Sequence, residues 1–496
     1  MHRVVSLRNV LPSFVLALGL LVSAPAWAAG LYIPESSAGA LARGGEAVSL
    51  LDTAYALEFN PAGLTFGNGL DVRADINLTS PGETFQPAGQ SVTASNTGGL
   101  SPGPAIMVSY RLPGILKQLG VGVGVWSPPG VLAYKFPDPR SFNCAQAMNP
   151  DTCSVNAATA TPQRYNNISQ STLVVFPSIG LSWRPIPWVS IGGTLQYVIS
   201  SVSLSTSQLG NSLVSSTNST SGDVIANVKV NARPAVTGIA GIIISPIPDL
   251  VLSGSFTPTL PITSNGTLTS ELGTTLSEFG ASVTPAQPSA NLYINLPPVV
   301  RAGLAYKWQR LAVGAEFVWE GWSTNKQFTL TTNAESFLPG QTVGTPIGSA
   351  SQCPKGVSSP TGTCTAIVNN WKDAESYRLG VSYDFLRQQD SGFLLQGSVG
   401  GVYETNAIPS QYQSLPFVTG NLGGGSLGIA AGWRGFGVAV SAMIFAPQKF
   451  TVTNSATPYP IAMGSPPPGD IGNGTYTTNI WELGLGLFYH GLDGQG

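Results

Sequence analysis

The sequence predicts an all-β fold, a closed antiparallel transmembrane β-barrel of about 14 strands. Three observations predict it. Tight connections (Arg184-Pro185-Ile186-Pro187, Pro246-Ile247-Pro248, Gln309-Arg310, Leu386 to Asp390, Arg434-Gly435) alternate with long stretches rich in Ser, Thr, Asn and Gly (Pro128 to Ser171, Leu260 to Pro297, Thr331 to Lys372). Membrane barrels show this rhythm, with short periplasmic turns and long outer loops. Apolar residues recur with a period of two in segment after segment. Charged residues are only 9% of the chain, against about 25% in an ordinary soluble domain.

The N-terminus comes first. Arg3 and Arg8 flank a short apolar run, Phe14 to Val22, and Ala26-Trp27-Ala28 offers a small-residue cleavage site. This reads as a secretory signal peptide over 1–28, too short for a membrane helix, which needs about 20 apolar residues. Residues 29–68 precede the first strand and contain small-residue helical stretches such as Ser37 to Ala47, ending in the Asn60-Pro61-Ala62 turn.

The strands follow in order near 69–80, 104–111, 119–127, 172–184, 187–203, 235–245, 249–259, 298–308, 310–330, 374–386, 391–405, 425–434, 436–452 and 477–490. In the first, Leu70, Val72, Ala74, Ile76 and Leu78 alternate with Asp71, Arg73, Asp75 and Asn77. Leu311, Val313, Ala315, Phe317 and Trp319 oppose Gly314 and Glu316; Tyr377 to Phe385 and Trp481 to Tyr489 repeat the pattern. One face suits lipid and the other water. An even strand number leaves both termini in the periplasm. The barrel therefore spans 69–490, and 491–496 form a tail.

Composition excludes several functions. With 22 basic and 24 acidic residues, the net charge of −2 gives no electrostatic case for a nucleic-acid partner. Of two histidines, His2 leaves with the signal peptide and His490 lies at the last periplasmic edge, so no catalytic base is placed and no enzyme is expected. No cofactor or metal is expected, and the Gly-x-Gly run at Gly120, Gly122 and Gly124 is strand spacing, not a phosphate loop. Cys144 with Cys153, and Cys353 with Cys364, share long loops and suggest two local disulfides in an exported chain.

The Asn60-Pro61-Ala62 turn after a small-residue segment, Trp319-Glu320-Gly321-Trp322-Ser323, Asn370-Trp371-Lys372-Asp373 leading to Tyr377-Arg378-Leu379-Gly380-Val381-Ser382-Tyr383, and Tyr403 before a polar stretch and Pro409 stand in order along the chain. Together they resemble the FadL family of outer-membrane transporters of long-chain fatty acids and aromatic hydrocarbons. The resemblance implies a 14-stranded monomeric barrel with an N-terminal hatch over 29–68, passive transport, and an outer-membrane location. It also implies capture of a hydrophobic molecule, with long-chain fatty acids the expected cargo, among outer loops, an internal pocket, and sideways exit into membrane lipid at a distorted third strand. Such an exit keeps the transfer free energy of an oily solute, about 0.8 kcal/mol per CH₂.

Each part has candidate residues. The third strand runs into Ser127-Pro128-Pro129, where proline removes a ladder donor, a candidate exit or a plain loop start. Leu209, Leu213, Leu268, Leu272, Leu276 and Phe279 lie on long loops; the last four, spaced by four, four and three, predict an amphipathic helix that lines a capture groove or packs on its own loop. Arg301, Lys307 and Arg378 fall on the lumen phase. They are candidate partners for a cargo carboxylate, or for Glu316, Asp384 or a hatch acid such as Asp52. A general porin for polar solutes and a structural or adhesive surface barrel are the alternatives.

Overall fold

The computed structural model describes residues 36–128, 133–141, 159–209, 220–278, 280–337, 364–388, 392–415, 417–418, 420–460 and 470–491, with scattered positions between 342 and 359. The signal peptide, Pro129, Leu213, Phe279, Cys144, Cys153 and most of the tail lie outside them.

Fourteen strands close the barrel: β1 Leu70–Pro87, β2 Ser101–Arg111, β3 Leu119–Trp126, β4 Ser169–Ile186, β5 Val189–Leu209, β6 Ala235–Ile247, β7 Leu250–Thr257, β8 Val299–Trp308, β9 Leu311–Glu320, β10 Ala374–Gln388, β11 Phe393–Glu404, β12 Leu422–Trp433, β13 Phe436–Phe445 and β14 Gly474–His490. Each pairs antiparallel with its sequence neighbour, and β1 meets β14 from Asp71↔His490 to Pro87↔Gly474. Closure removes the exposed edges that lipid cannot hydrogen-bond. Turns on the periplasmic side are minimal. Trp433 and Phe436 are joined by Arg434 (φ 50°) and Gly435 (φ 87°), the left-handed pair that matches strand twist in a two-residue hairpin.

The alternation sorts side chains as a bilayer requires. On β5, Ile191, Leu195, Tyr197 and Ile199 point outward at 42–58% exposure, while Ser190, Thr194, Gln196 and Val198 are buried inward. Trp183, Trp188, Trp308, Tyr383, Phe385, Phe393, Trp433 and Phe436 are exposed beside the periplasmic turns, where aromatic rings favour the interface.

Above the barrel the sheet continues, which the sequence reading missed. The upper ends of β4 and β5 extend into a sheet with strands Asp223–Ala232, Leu260–Leu272, Ser289–Leu296, Gln327–Thr332 and Thr365–Val368. Prolines mark the break between levels: Pro234 before β6, Pro258 after β7, Pro297-Pro298 before β8. Each removes a ladder donor.

Three expectations need correction. The segment 310–330 is not one strand but β9, a short helical turn Trp322–Thr324, and the strand Gln327–Thr332; Gly321 opens the break. The segment 436–452 splits into β13 and Gln448–Val452 at Ala446-Pro447. The amphipathic helix over Leu268–Phe279 is a strand through Leu272, and only Thr274–Glu278 is helical. A spacing of four satisfies a strand's period of two as well as a helix's 3.6, so the leucines did not discriminate.

Candidate functional site

Residues 36–69 lie inside the lumen. The small-residue stretch forms only one turn of helix, α1 Ala38–Leu41, capped by the Ser37 hydroxyl accepting from Ala40 N at 3.1 Å. Gly44 (φ 68°) and Gly45 (φ 81°) end it in left-handed backbone that other residues resist, and Gly44 rests against the Gly401 backbone with no room for a Cβ. The chain then passes through α2 Ala56–Phe59 into a 3-10 turn, Pro61–Thr65.

This second half of the hatch is seated on the wall by Asn60. Its Oδ1 accepts from Ala62 N (3.1 Å), capping the turn, while Nδ2 donates to Ile242 O (3.1 Å), Ser253 Oγ (2.8 Å) and Gly254 O (3.0 Å) on β6 and β7. A Cβ at Gly241 would collide with Asn60 Oδ1, and Gly120, Gly180 and Gly192 likewise leave bare wall for Leu64, Leu57 and Pro61. Wall hydroxyls satisfy the hatch carbonyls: Thr194 donates to Leu57 O (2.9 Å), Ser190 to Ala62 O (2.8 Å) and Ser255 to Phe59 O (2.8 Å). The Gly-x-Gly spacing of β3 is thus a docking surface for the hatch.

Ion pairs hold the first half. Arg43 donates to Glu46 (2.7 Å), Ser49 (2.8 Å), Gly380 O (3.0 Å) and Ser382; Ala47 N donates to Glu316, which pairs with Arg301 at 3.0 Å. Burial raises the Glu46 carboxyl above its usual range despite Arg43, and Glu316 adds to the rise. Lys307 pairs with Asp52 at 2.7 Å. Partial burial alone would raise Asp52, but the Lys307 ammonium outweighs it and the carboxyl sits below its usual range. Arg378 donates to Gly45 O (3.1 Å) and Ser376 (2.9 Å) and lies 3.7 Å from Glu404. All three candidate lumen cations face inward and all three engage the hatch or a wall carboxylate; Asp384 instead accepts from Gln396 (2.7 Å).

Above the hatch, the described residues of the wall leave an interruption. β3 ends where Trp126 pairs with Phe176, and the next described residues on that side of β4, Ala133–Lys135, pair with Ser171 to Ser169. Among the described residues, Thr172–Val175 have no strand partner on the β3 side, and Ser101–Gly103 of β2 pair only with β1. Ser127 N still donates to Pro104 O (2.9 Å), so Ser127 and Pro128 form the lower sill of this window.

Its inner surroundings are apolar. Trp126 (4% exposed) packs on the hatch cluster with Phe176, the rings 6.3 Å apart. Phe176 and Val174 also pack against Val198, Leu260 and Ile262, together with Ile294. Ile294 joins that cluster to an aromatic one in which Trp371 contacts Trp322 (5.3 Å), Phe328 (5.2 Å) and Phe417 (5.7 Å). Leu292 links this in turn to the inner face of the upper sheet. A continuous apolar lining therefore leads from the outer sheet to the window.

The predicted capture leucines divide. Leu268 packs inside the upper sheet, Leu276 and Leu272 form a smaller cluster with Val224, and Leu209 is buried at the end of β5; they do not form one helical stripe. Cys353 and Cys364 are disulfide-bonded, with Cα atoms 5.2 Å apart. Sequence reasoning missed Trp126, Val174, Phe176, Val198 and Ile294. For the four on membrane strands the available signal was an apolar residue on the inward phase, where neighbouring inward positions carry Ser, Thr, Gln or Gly; Ile294 follows Ala290 and Leu292 on the inner face of its strand and carries no such contrast.

The model of a family described as outer membrane protein transport protein (OMPP1/FadL/TodX) matches residues 19–414. No curated protein matches the chain. A FadL homologue from Pseudomonas aeruginosa superposes with a TM-score of 0.66 at 14% identity, covering 93% of this chain and 99% of that one. The Pseudomonas putida toluene transporter TodX gives 0.60 at 13% identity, covering 92% and 98%. The Ralstonia pickettii toluene transporter TbuX gives 0.57 at 13% identity, with the same coverage. At these identities the likeness is one of fold.

Proposed function

The chain belongs to the OMPP1/FadL/TodX family of outer-membrane transport proteins, and from that premise we propose that it passes uncharged hydrophobic molecules along the apolar lining and sideways through the window above β3. Three features support lateral exit. The hatch fills the lumen below, so the periplasmic route is obstructed by ion pairs and by Asn60. The window opens where β3 stops at Trp126 while β4 continues, and apolar residues lead to it. An oily solute that moves straight into lipid never loses its transfer free energy to water.

The observation that carries the choice of cargo is the engagement of Arg301, Lys307 and Arg378. A fatty-acid carboxylate would have to displace Glu316, Asp52 or the Gly45 carbonyl to reach them. A buried charge without a partner is expensive. Two of the structurally similar proteins are toluene transporters, which agrees with a neutral cargo. Long-chain fatty acids remain the second reading, on the family resemblance.

The test is uptake by cells that lack their own hydrophobe transporters and express this protein. Radiolabelled toluene should enter faster than in control cells, and oleate should show much the smaller gain. Equal acceleration of oleate would restore the fatty-acid reading. Acceleration of neither would remove the transport proposal.

A further inference from the structure

The strands of β4 and β5 do not stop at the membrane surface, and their outward faces change chemistry there. Leu173 and Ile199 are the last outward apolar residues, 49% and 48% exposed. One step higher the partners are Ser171↔Ser203 and Ser201↔Asn231. From Ser201 a single row then runs through Asn231, Asn265, Asn291 and Thr331, each in register with the next. Directly paired residues share a face, so this is one ladder of amides and hydroxyls, about 4.8 Å per step; it is open to solvent on four strands, from Ser201 to Asn291, and ends at buried Thr331, whose Oγ1 accepts from Asn291 Nδ2 at 3.1 Å.

Two cations sit beside it. Lys229 is exposed opposite Ser203, and exposed Arg233, at the Pro234 break, donates through Nε to Asn265 Oδ1 at 2.6 Å. Glu271, higher on the same face, is held by Arg140 (2.8 Å) and Asn227 (3.1 Å). The surface is thus neutral and polar with a small positive patch, and it begins where the lipid-facing residues end.

We propose that this outward face docks the head group of a phosphorylated outer-leaflet glycolipid of the lipopolysaccharide type. Continuity with the lipid-facing wall fixes the height of the face at the head-group layer. Sugar hydroxyls both donate and accept, as do the Asn and Ser side chains of the ladder; Arg233 and Lys229 match phosphates at the base. A head group carrying only charge would use the two cations and gain nothing from the amide row. The inference rests on the barrel's place in the membrane and not on the identity of the cargo.

The test uses the detergent-purified full chain and native mass spectrometry, titrating lipopolysaccharide with a complete sugar core, deep-rough lipopolysaccharide lacking it, and phosphatidylglycerol. Wild-type protein should hold the complete form about tenfold more tightly than the deep-rough form, a factor that a few hydrogen bonds supply. N231A/N265A/N291A should lose that preference and keep its deep-rough binding; K229A/R233A should weaken both lipopolysaccharides in parallel. Equal wild-type affinity for the two forms, survival of the preference in the triple variant, or phosphatidylglycerol binding as tightly as lipopolysaccharide would overturn the proposal. Should the triple variant fail to fold, N231A alone, at an exposed position, should lower the preference about threefold; no change there would equally overturn it.

Discussion

Asn60 makes four hydrogen bonds in one buried position, three of them to the barrel wall. Asn60→Ala leaves Ile242 O and Gly254 O short of a donor and should destabilise hatch docking by about 1–3 kcal/mol, since buried groups stripped of partners bear the desolvation cost. Hydrogen exchange at residues 57–65 should rise sharply and steady ion current through planar bilayers should appear, while barrel melting moves little. Unchanged exchange would show that Asn60 does not seat the hatch. Asp52 supplies a pH dependence of defined sign. Its folded pKa is depressed by Lys307, so the pair stabilises docking above the usual carboxylate range and the contribution disappears as pH falls through the lowered value. Protection factors of residues 48–54, taken against the intrinsic rate at each pH, should therefore be high at neutral pH and fall in acid, and Asp52→Asn should show the low protection already at pH 7. At this scale the sequence placed Arg301, Lys307 and Arg378 in the lumen, because strand phase follows from the period of two. Asp52 was legible as a hatch acid and pairs with Lys307, but the contact of Arg378 with Gly45 O was not, because the fold of 36–69 is set by where bare glycine wall lets it lie.

Among elements, the hatch and the window do opposite things with the same strand. β3 offers Gly120, Gly122 and Gly124 to the hatch, then stops at Trp126 and leaves Thr172–Val175 without a partner on that side among the described residues. Val174 points inward at this opening, within the apolar cluster of Val198 and Leu260. Val174→Arg places a charge on the exit path, where desolvation costs several kcal/mol, and should reduce hydrophobe uptake about tenfold or more. The heat-modifiable electrophoretic shift of a folded barrel should persist, and Ser171→Arg, on the outward face, should leave uptake intact. Wild-type uptake by Val174→Arg would place the exit elsewhere. The membrane strands were legible because lipid enforces strict alternation; the upper sheet was not. In Leu260–Leu272 the outward face is Pro, Thr, Asn and Glu and the inner face mixes Leu and Ile with Ser and Gly, a composition shared with loops.

The whole molecule is a cylinder with a dry outer belt, a filled lower lumen and an apolar upper lining. An open channel for polar solutes would want wide water and rings of charge. Here Arg43, Glu46, Asp52, Arg301, Lys307 and Glu316 fasten the hatch, and the apolar clusters lie between the outer sheet and the window. Family membership agrees with that arrangement, and low charge with alternation made the barrel legible from the start. The proposed direction of exit rests on the pairing register, in which Thr172–Val175 of β4 have no partner on the β3 side among the described residues. Photolabelling tests it most directly: a diazirine-bearing hydrophobe, flashed during transport in proteoliposomes, should mark Trp126, Val174, Phe176 and the adjoining lipid. Labels gathered instead on the hatch and the periplasmic turns, with the window unmarked, would contradict a sideways exit.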